Sequence, residues 1–382
     1  MKKIGICVIA DEGWFGGINY FLSLLSALDQ YPCPDHEYYV LTNRSDIFNQ
    51  SYRPHINIIQ CEHLINNSDR IRRLSRHFKT NIPLAYYARR YQLDLITHAL
   101  PGKRFLPPTL YWMPDFQHCH LPHLFSEAEL RGRDQSMDMV AERLGHLLLS
   151  SEAAENDFRE LYPQYQSVKT HVLPFVPYIQ DEDLIYQQQV LDQSQLNEDF
   201  FYLPNQFWAH KNHAVVVEAL LLLQPEIKVV CTGSLSDYRN VANIEKLLER
   251  IKELGLEERF IVLGLVERSR MMSLMAQALA VINPSLFEGW STTVEESKYT
   301  GKKIILSDLA VHREQAPEDA VYFSPQDPSA LAAAMLHVWQ ERNDERQRAV
   351  SRFTKARINL ADNRALFAEK YQAIVSAILQ QL

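Results

Sequence analysis

The chain has 382 residues, 46% hydrophobic and 23% charged, with only 12 Gly and 18 Pro; this excludes collagen-like, low-complexity and wholly disordered proteins and fits two mid-sized globular domains. A net charge of −8 with a pI near 6.0 argues against a surface built for nucleic acid, so none is expected as a partner. The five cysteines, at positions 7, 33, 61, 119 and 231, show no CxxC and no ligand-like spacing, and read as scattered reduced thiols.

In chain order, apolar runs at 3–10, 38–42, 56–59, 94–98, 109–113, 146–150 and 171–173 read as buried strands. Helical spacing between them, as at 18–28 and 141–144, gives the alternation of parallel βαβ units. The first run is closed by Asp11 and Glu12, too early for a signal peptide, and no window approaches the ~20 apolar residues of a spanning helix. The expected location is the cytoplasm, with contact to the inner face of a membrane left open.

After Pro174, Pro177 and a polar run at 187–199 the pattern restarts, with strands expected at 201–203, 227–231, 260–263, 279–282, 303–306 and 321–323. Ile244, Leu247, Leu248, Ile251 and Leu254 mark one helix face between two of them. The fold class is α/β: two doubly wound Rossmann-like domains facing a central cleft. The expected boundaries are 1–175 for the first domain, 176–199 for a linker region, 200–363 for the second domain and 364–382 for a terminal helix.

The most informative stretch is NPSLFEGWSTTVEESKYTGKKIILSD at 283–308. A strand ending near Ile282, a turn through Pro284, Glu288 and Gly289 and a helix from about Thr292 direct helix amides at the cleft, a place to hold a pyrophosphate. Glu288 and Glu296 are eight positions apart, so both can face one bound ligand, and carboxylates accept strong hydrogen bonds from sugar hydroxyls. The competing reading is a capping box in which Thr292 or Thr293 caps the helix and a Glu three residues later returns the bond; Glu295 fits that role opposite Thr292 equally well, which leaves Glu296 free.

These residues resemble the Glu-x7-Glu signature of retaining glycosyltransferases with two Rossmann domains, the GT-B type, family 4. The resemblance extends to Gly16-Gly17, WMPDFQHCHLP at 112–122, LLLSSEAAENDF at 147–158 and LPNQFWAHKNHAVVVEAL at 203–220. It implies a hexosyltransferase-type enzyme moving a sugar with retention from a nucleotide diphosphate sugar, held by the second domain, to a glycan or lipid-linked acceptor held by the first. Surface polysaccharide or lipopolysaccharide assembly is the implied setting. Glu288 and Lys211 become the catalytic pair, the first at the donor sugar and the second on the pyrophosphate. Gly16, Gly17, Gly289, Trp290, Ser291 and Glu296 join them as donor-binding residues. Family members often carry an arginine about six positions before the lysine; here that position is Asn205. They also show a His-Asp pair near Asp115, where this chain has Pro114; His118, His120 and His123 are the substitutes, and Asp115 with His118 is taken as the acceptor or sugar contact.

No cofactor and no obligatory metal are expected, because Lys211 and helix ends supply countercharge and the acidic run Asp181-Glu182-Asp183 reads as solvated. The segment 69–90 carries seven basic residues; Ile71, Leu74 and Phe78 give a helix one apolar stripe, flanked by Arg70, Arg72, Arg73 and Arg76. It reads either as a membrane-docking helix or as an ordinary packed surface helix. Two other functions share the architecture: a sugar-nucleotide epimerase, which needs an acid/base pair not evident here, and a non-catalytic nucleotide-sugar-binding subunit.

Overall fold

The apolar runs are strands because both faces of each are covered. In the second half of the chain, Phe201, Leu203, Val229, Cys231, Ala280 and Ile282 point into one apolar cluster. The alternate residues Tyr202, Val230 and Val281 point into another on the opposite face. A computed structural model describes residues 1–10, 15–48, 52–64, 68–143, 145–192 and 199–381.

By contact the chain divides into two units: Met1–Cys119, Glu127–Tyr178 and Asn363–Leu382 form the first, His120–Ser126 and Ile179–Asp362 the second. The first unit holds β1 (Lys2–Val8), β2 (His36–Thr42), β3 (Ile56–Gln60), β4 (Leu95–Thr97), β5 (Thr109–Met113), β6 (His146–Leu149) and β7 (Lys169–Val172). They form one parallel sheet in the order β3-β2-β1-β4-β5-β6-β7. The second unit holds β8 (Phe201–Leu203), β9 (Val229–Cys231), β10 (Phe260–Val262), β11 (Ala280–Asn283), β12 (Ile304–Ser307) and β13 (Val321–Phe323). Their order is β10-β9-β8-β11-β12-β13, again all parallel. Each sheet reverses direction of winding once, between β1 and β4 and between β8 and β11, and ligands of such sheets bind at that switch point.

The division differs from the expected boundaries in three places. His120–Ser126 groups with the second unit although it lies inside the first domain's sequence. The linker region contains a helix, Asp181–Asp192, that belongs to the second unit; residues 193–198 lie outside the described residues. The terminal helix is longer than expected, Arg342–Leu379, because no Gly or Pro interrupts it; its early turns count with the second unit and residues from Asn363 with the first.

Gly301 shows how tightly the second unit is packed around its central helix, Thr292–Tyr299. It takes a left-handed φ of 67° and closes that helix, with Lys302 N donating to Ser297 O at 2.9 Å. A Cβ there would stand 2.4 Å from the backbone nitrogen of Phe353. Gly301→Ala is therefore expected to destabilise the protein by about 2 kcal/mol or more, combining left-handed strain with a backbone clash. Urea unfolding checks this, and an unchanged midpoint and slope would show that the terminal helix yields instead.

Candidate active site

The loops after β8 and β11 leave the two strands at the switch point of the second sheet, and they carry Lys211 and Glu288. Lys211 ends a short 3-10 turn, Ala209–Lys211, which precedes the helix His213–Leu220. Asn212 adopts a left-handed φ of 56°, and its amide donates to Pro284 O at 3.0 Å and Pro325 O at 2.7 Å. Leu286 N donates to His210 O at 2.8 Å, so the two loops are tied together by backbone as well. That framing brings Lys211 Nζ to 2.7 Å from Glu288 Oε1, with the side chains only 19% and 9% exposed.

Ser285 Oγ lies 2.6 Å from the same Glu288 oxygen and 2.7 Å from Asn283 Oδ1. Behind it runs a buried polar network: Asn205 Nδ2 donates to Asn283 Oδ1 at 3.3 Å, Thr293 Oγ1 donates to Asn205 Oδ1 at 3.0 Å, and Asn283 Nδ2 donates to Ser291 Oγ at 2.8 Å. Asn205 thus fills the place of the family's arginine with a scaffold residue, 3% exposed. Burial pushes the Glu288 carboxyl up, but Lys211 first and then His312 and His210 outweigh it and hold the pKa down to about 2. Glu288 is a carboxylate at any working pH.

Glu296 stands on the helix Thr292–Tyr299 and is buried. Arg268 Nη1 donates to its Oε1 at 3.2 Å, and Arg268 Nε donates to Asp183 Oδ2 at 3.2 Å. Asp183 is therefore an ordered partner, not part of a solvated run; its Oδ2 also accepts from Gln180 N at 3.1 Å, while Asp181 and Glu182 remain exposed. The capping box is likewise corrected. Ser291 caps the helix, accepting from Val294 N, and this register places Val294 three residues in, not Glu295. Glu295 instead accepts from Lys298 Nζ at 3.1 Å and Gln315 Nε2 at 2.9 Å. Gly289 and Trp290 are half-buried on the loop between Glu288 and this cap.

In the first unit Gly16 and Gly17 open the helix Phe15–Gln30; residues 11–14 before them lie outside the described residues. A Cβ at Gly16 would meet nothing within 4 Å, so packing does not require glycine there. Asp115 accepts from Gln117 N at 3.0 Å and from Arg133 Nη1 at 3.1 Å. His118 is 3% exposed, with Nε2 3.2 Å from Tyr162 OH and its ring beside that of Phe116. His120 and His123 are exposed; both group with the second unit, and the His120 ring lies 4.9 Å from that of Phe287, the neighbour of Glu288.

The basic helix spans Asp69–Phe78; Ile71 and Phe78 of its apolar stripe are half-buried, and none of its residues is fully buried. Leu74 is 39% and the adjacent Phe105 63% exposed, and the rings of Phe78 and Phe105 meet at 5.7 Å. Arg70, Arg72, Arg73 and Arg76 are all exposed, Arg72 pairing with Asp69 at 2.8 Å. Lys79 depresses the pKa of Lys103 beside them, a sign of crowded positive charge. Among the described residues no helix is long and apolar enough to cross a membrane.

Two residues of the second unit's site carry no sequence motif. Arg268 is marked only as a cation at the start of a helix after β10. His312, after β12 in the helix Ala310–Gln315, is fully buried, and Glu288 is the largest charge acting on it.

Residues 189–356 match the sequence model of the family described as Glycosyl transferases group 1. A stretch of 161 residues, 42% of this chain, is 23% identical to the O-antigen chain mannosyltransferase RfbU of Salmonella typhimurium and spans 43% of that protein's length. Among solved structures, sucrose-phosphate synthase from Thermosynechococcus elongatus matches 99% of this chain and 100% of its own, at 16% identity and a TM-score of 0.70. Anabaena HepE in complex with UDP and glucose matches 98% of this chain and 100% of its own, at 16% identity and a TM-score of 0.71. The lipopolysaccharide glycosyltransferase WaaG matches 96% and 95%, at 14% identity and a TM-score of 0.59. Lys211, Glu288, Arg268 and Glu296 all fall inside the segment that matches the group 1 glycosyltransferase model, and the chain has the GT-B fold.

Proposed function

We propose that this chain moves a sugar from a nucleotide diphosphate donor, held by the second unit, to a glycan or lipid-linked acceptor taken by the first, with retention of configuration. The observation that carries the reading is the Lys211–Glu288 pair at the switch point, followed eight residues later by Glu296 on the helix that starts there. Lys211 would neutralise the diphosphate as charge develops on it. Glu288, always ionised, would accept hydrogen bonds from the donor sugar and favour positive charge at its reacting carbon; Glu296 would hold the ribose hydroxyls. Retention, with the leaving phosphate acting as base, follows from the family resemblance. HepE in complex with UDP-glucose supports a nucleotide sugar, and RfbU and WaaG support surface polysaccharide or lipopolysaccharide assembly. A thermal-shift and hydrolysis screen against a panel of nucleotide sugars tests this: one donor should stabilise the protein and be slowly hydrolysed, whereas silence across the panel would reject it.

Metal independence is part of the proposal, because the countercharge comes from Lys211 and helix amides. Activity is expected to survive EDTA; complete loss, restored by magnesium or manganese, would reverse it.

We further propose a peripheral place at the cytoplasmic face of an anionic membrane, supported by the unburied helix Asp69–Phe78 with exposed Leu74 and Phe105. Each basic residue near such a surface contributes about 1 kcal/mol. Replacing Arg70, Arg72, Arg73 and Arg76 by Gln should cut co-sedimentation with anionic vesicles by tenfold or more on the order of that estimate, and spare donor hydrolysis. Equal sedimentation at low and moderate salt would leave the arginines as solvated surface.

A further inference from the structure

We propose that when a nucleotide diphosphate binds, Lys211 leaves Glu288 for the phosphates and His312 takes up a proton from solvent in its place. This rests on the role given to Lys211 above. In the free protein the Lys211 ammonium is spent on Glu288 at 2.7 Å. A diphosphate that draws it away leaves a carboxylate only 9% exposed without its cation, and a buried carboxylate needs either a new positive neighbour or a proton.

His312 is placed to be that neighbour. Its Nδ1 lies 2.8 Å from the carbonyl oxygen of Ser307, which fixes the proton on Nδ1 and leaves a lone pair on Nε2. Nε2 is buried and has no hydrogen-bond partner among the described residues, so its lone pair is free to take a proton. The ring is also joined to Glu288 through bonded groups: Ser307 Oγ donates to Ser285 O at 2.6 Å, and Ser285 Oγ lies 2.6 Å from Glu288 Oε1. Both partners of Glu288 fall on Oε1, so Oε2 has none among the described residues.

The charges acting on the ring are Glu288 from the loop after β11, Lys211 from the 3-10 turn and Asp308 from the end of β12. Asp308 is held by Arg313 at 2.7 Å, so its influence stays the same whether or not ligand is bound. Burial keeps His312 neutral in the free protein, and Lys211 adds to that effect while Glu288 opposes it. Withdrawing Lys211 removes a positive charge that opposes the charged ring and leaves Glu288, the Ser307 carbonyl and Asp308 in its favour. The step is a single proton moving from solvent to Nε2; no covalent bond to carbon or phosphorus changes.

Calorimetry of UDP and GDP binding near neutral pH, repeated in buffers of different ionisation enthalpy, counts the protons taken up. The nucleotide's own phosphate titration is common to every protein form and cancels in differences. Wild type should take up about half a proton or more per nucleotide beyond His312→Asn, which keeps a donor for Ser307 O. Lys211→Met should fall to the same lower level, since Glu288 has already lost its ammonium before nucleotide arrives. Equal uptake in wild type and His312→Asn overturns the inference; should that variant not fold, equal uptake in wild type and Lys211→Met overturns it in the same way. If neither nucleotide binds wild type, it is the nucleotide reading of the second unit that fails, and this inference falls with it.

Discussion

Glu288→Gln is expected to lower the transfer rate at saturating donor by about 10²–10³-fold, the range seen when one group that stabilises transition-state charge is removed. The substitution keeps the volume of the side chain and an oxygen that can accept from Lys211 and Ser285, so the loops after β8 and β11 stay tied through Asn212 and the Leu286–His210 bond. What disappears is the negative charge. Because neighbouring cations hold the carboxyl at about 2, that charge is present throughout the working pH range, and the wild-type rate should show no acid limb arising from Glu288. The informative split is between turnover and binding: donor affinity measured by calorimetry should change far less than turnover. Wild-type turnover in the variant would remove Glu288 from the chemistry.

The sheets were legible because their strands are buried on both faces and so read as unbroken apolar runs; β5, β8 and β13 match the sequence reading end to end. The division between units was less so. The segment His120–Ser126 sits in a continuous run of aromatic and histidine residues, with nothing in composition to show that it joins the other unit. The helix Arg342–Leu379 passes from one unit's contacts to the other's without a Gly or Pro to mark the point.

Within the site, Glu288 and Glu296 were legible because they share one strand, loop and helix, and Lys211 because the stretch around it resembles a block of the glycosyltransferase family. Arg268 was not, since its partners Asp183 and Glu296 are far from it in sequence and only the fold joins them. The burial of His118 was not legible for a related reason. Sequence gives the strand end that a residue follows, yet the side-chain direction depends on Phe116, Phe158 and Tyr162, which draw this ring into the core.

Lys211→Met should cost stability in a pH-dependent way that a neutral surface lysine would not. In wild type the folded pKa of Glu288, about 2, lies below the ordinary 4.5, so this group contributes stability that is fully present above about 4.5 and lost as pH falls through about 2. The depression corresponds to roughly 3 kcal/mol. With methionine at 211 the first-ranked cation is gone, and burial, which already pushes the carboxyl upward, carries the folded pKa up toward or past its unfolded value. At neutral pH the variant then loses about 3–5 kcal/mol, as expected when one partner of a buried pair is removed. Below the unfolded pKa the loss shrinks, because the variant's Glu288 is protonated and carries no unpaired charge. Urea unfolding across this range should therefore show a gap between wild type and Lys211→Met that is widest near neutrality and narrows as the solution is acidified. A gap that stays constant with pH would mean that the two side chains do not share charge in the folded state. Adding His312→Asn to the Lys211→Met background should widen the gap at neutral pH, since it removes a buried imidazole able to take a proton beside Glu288.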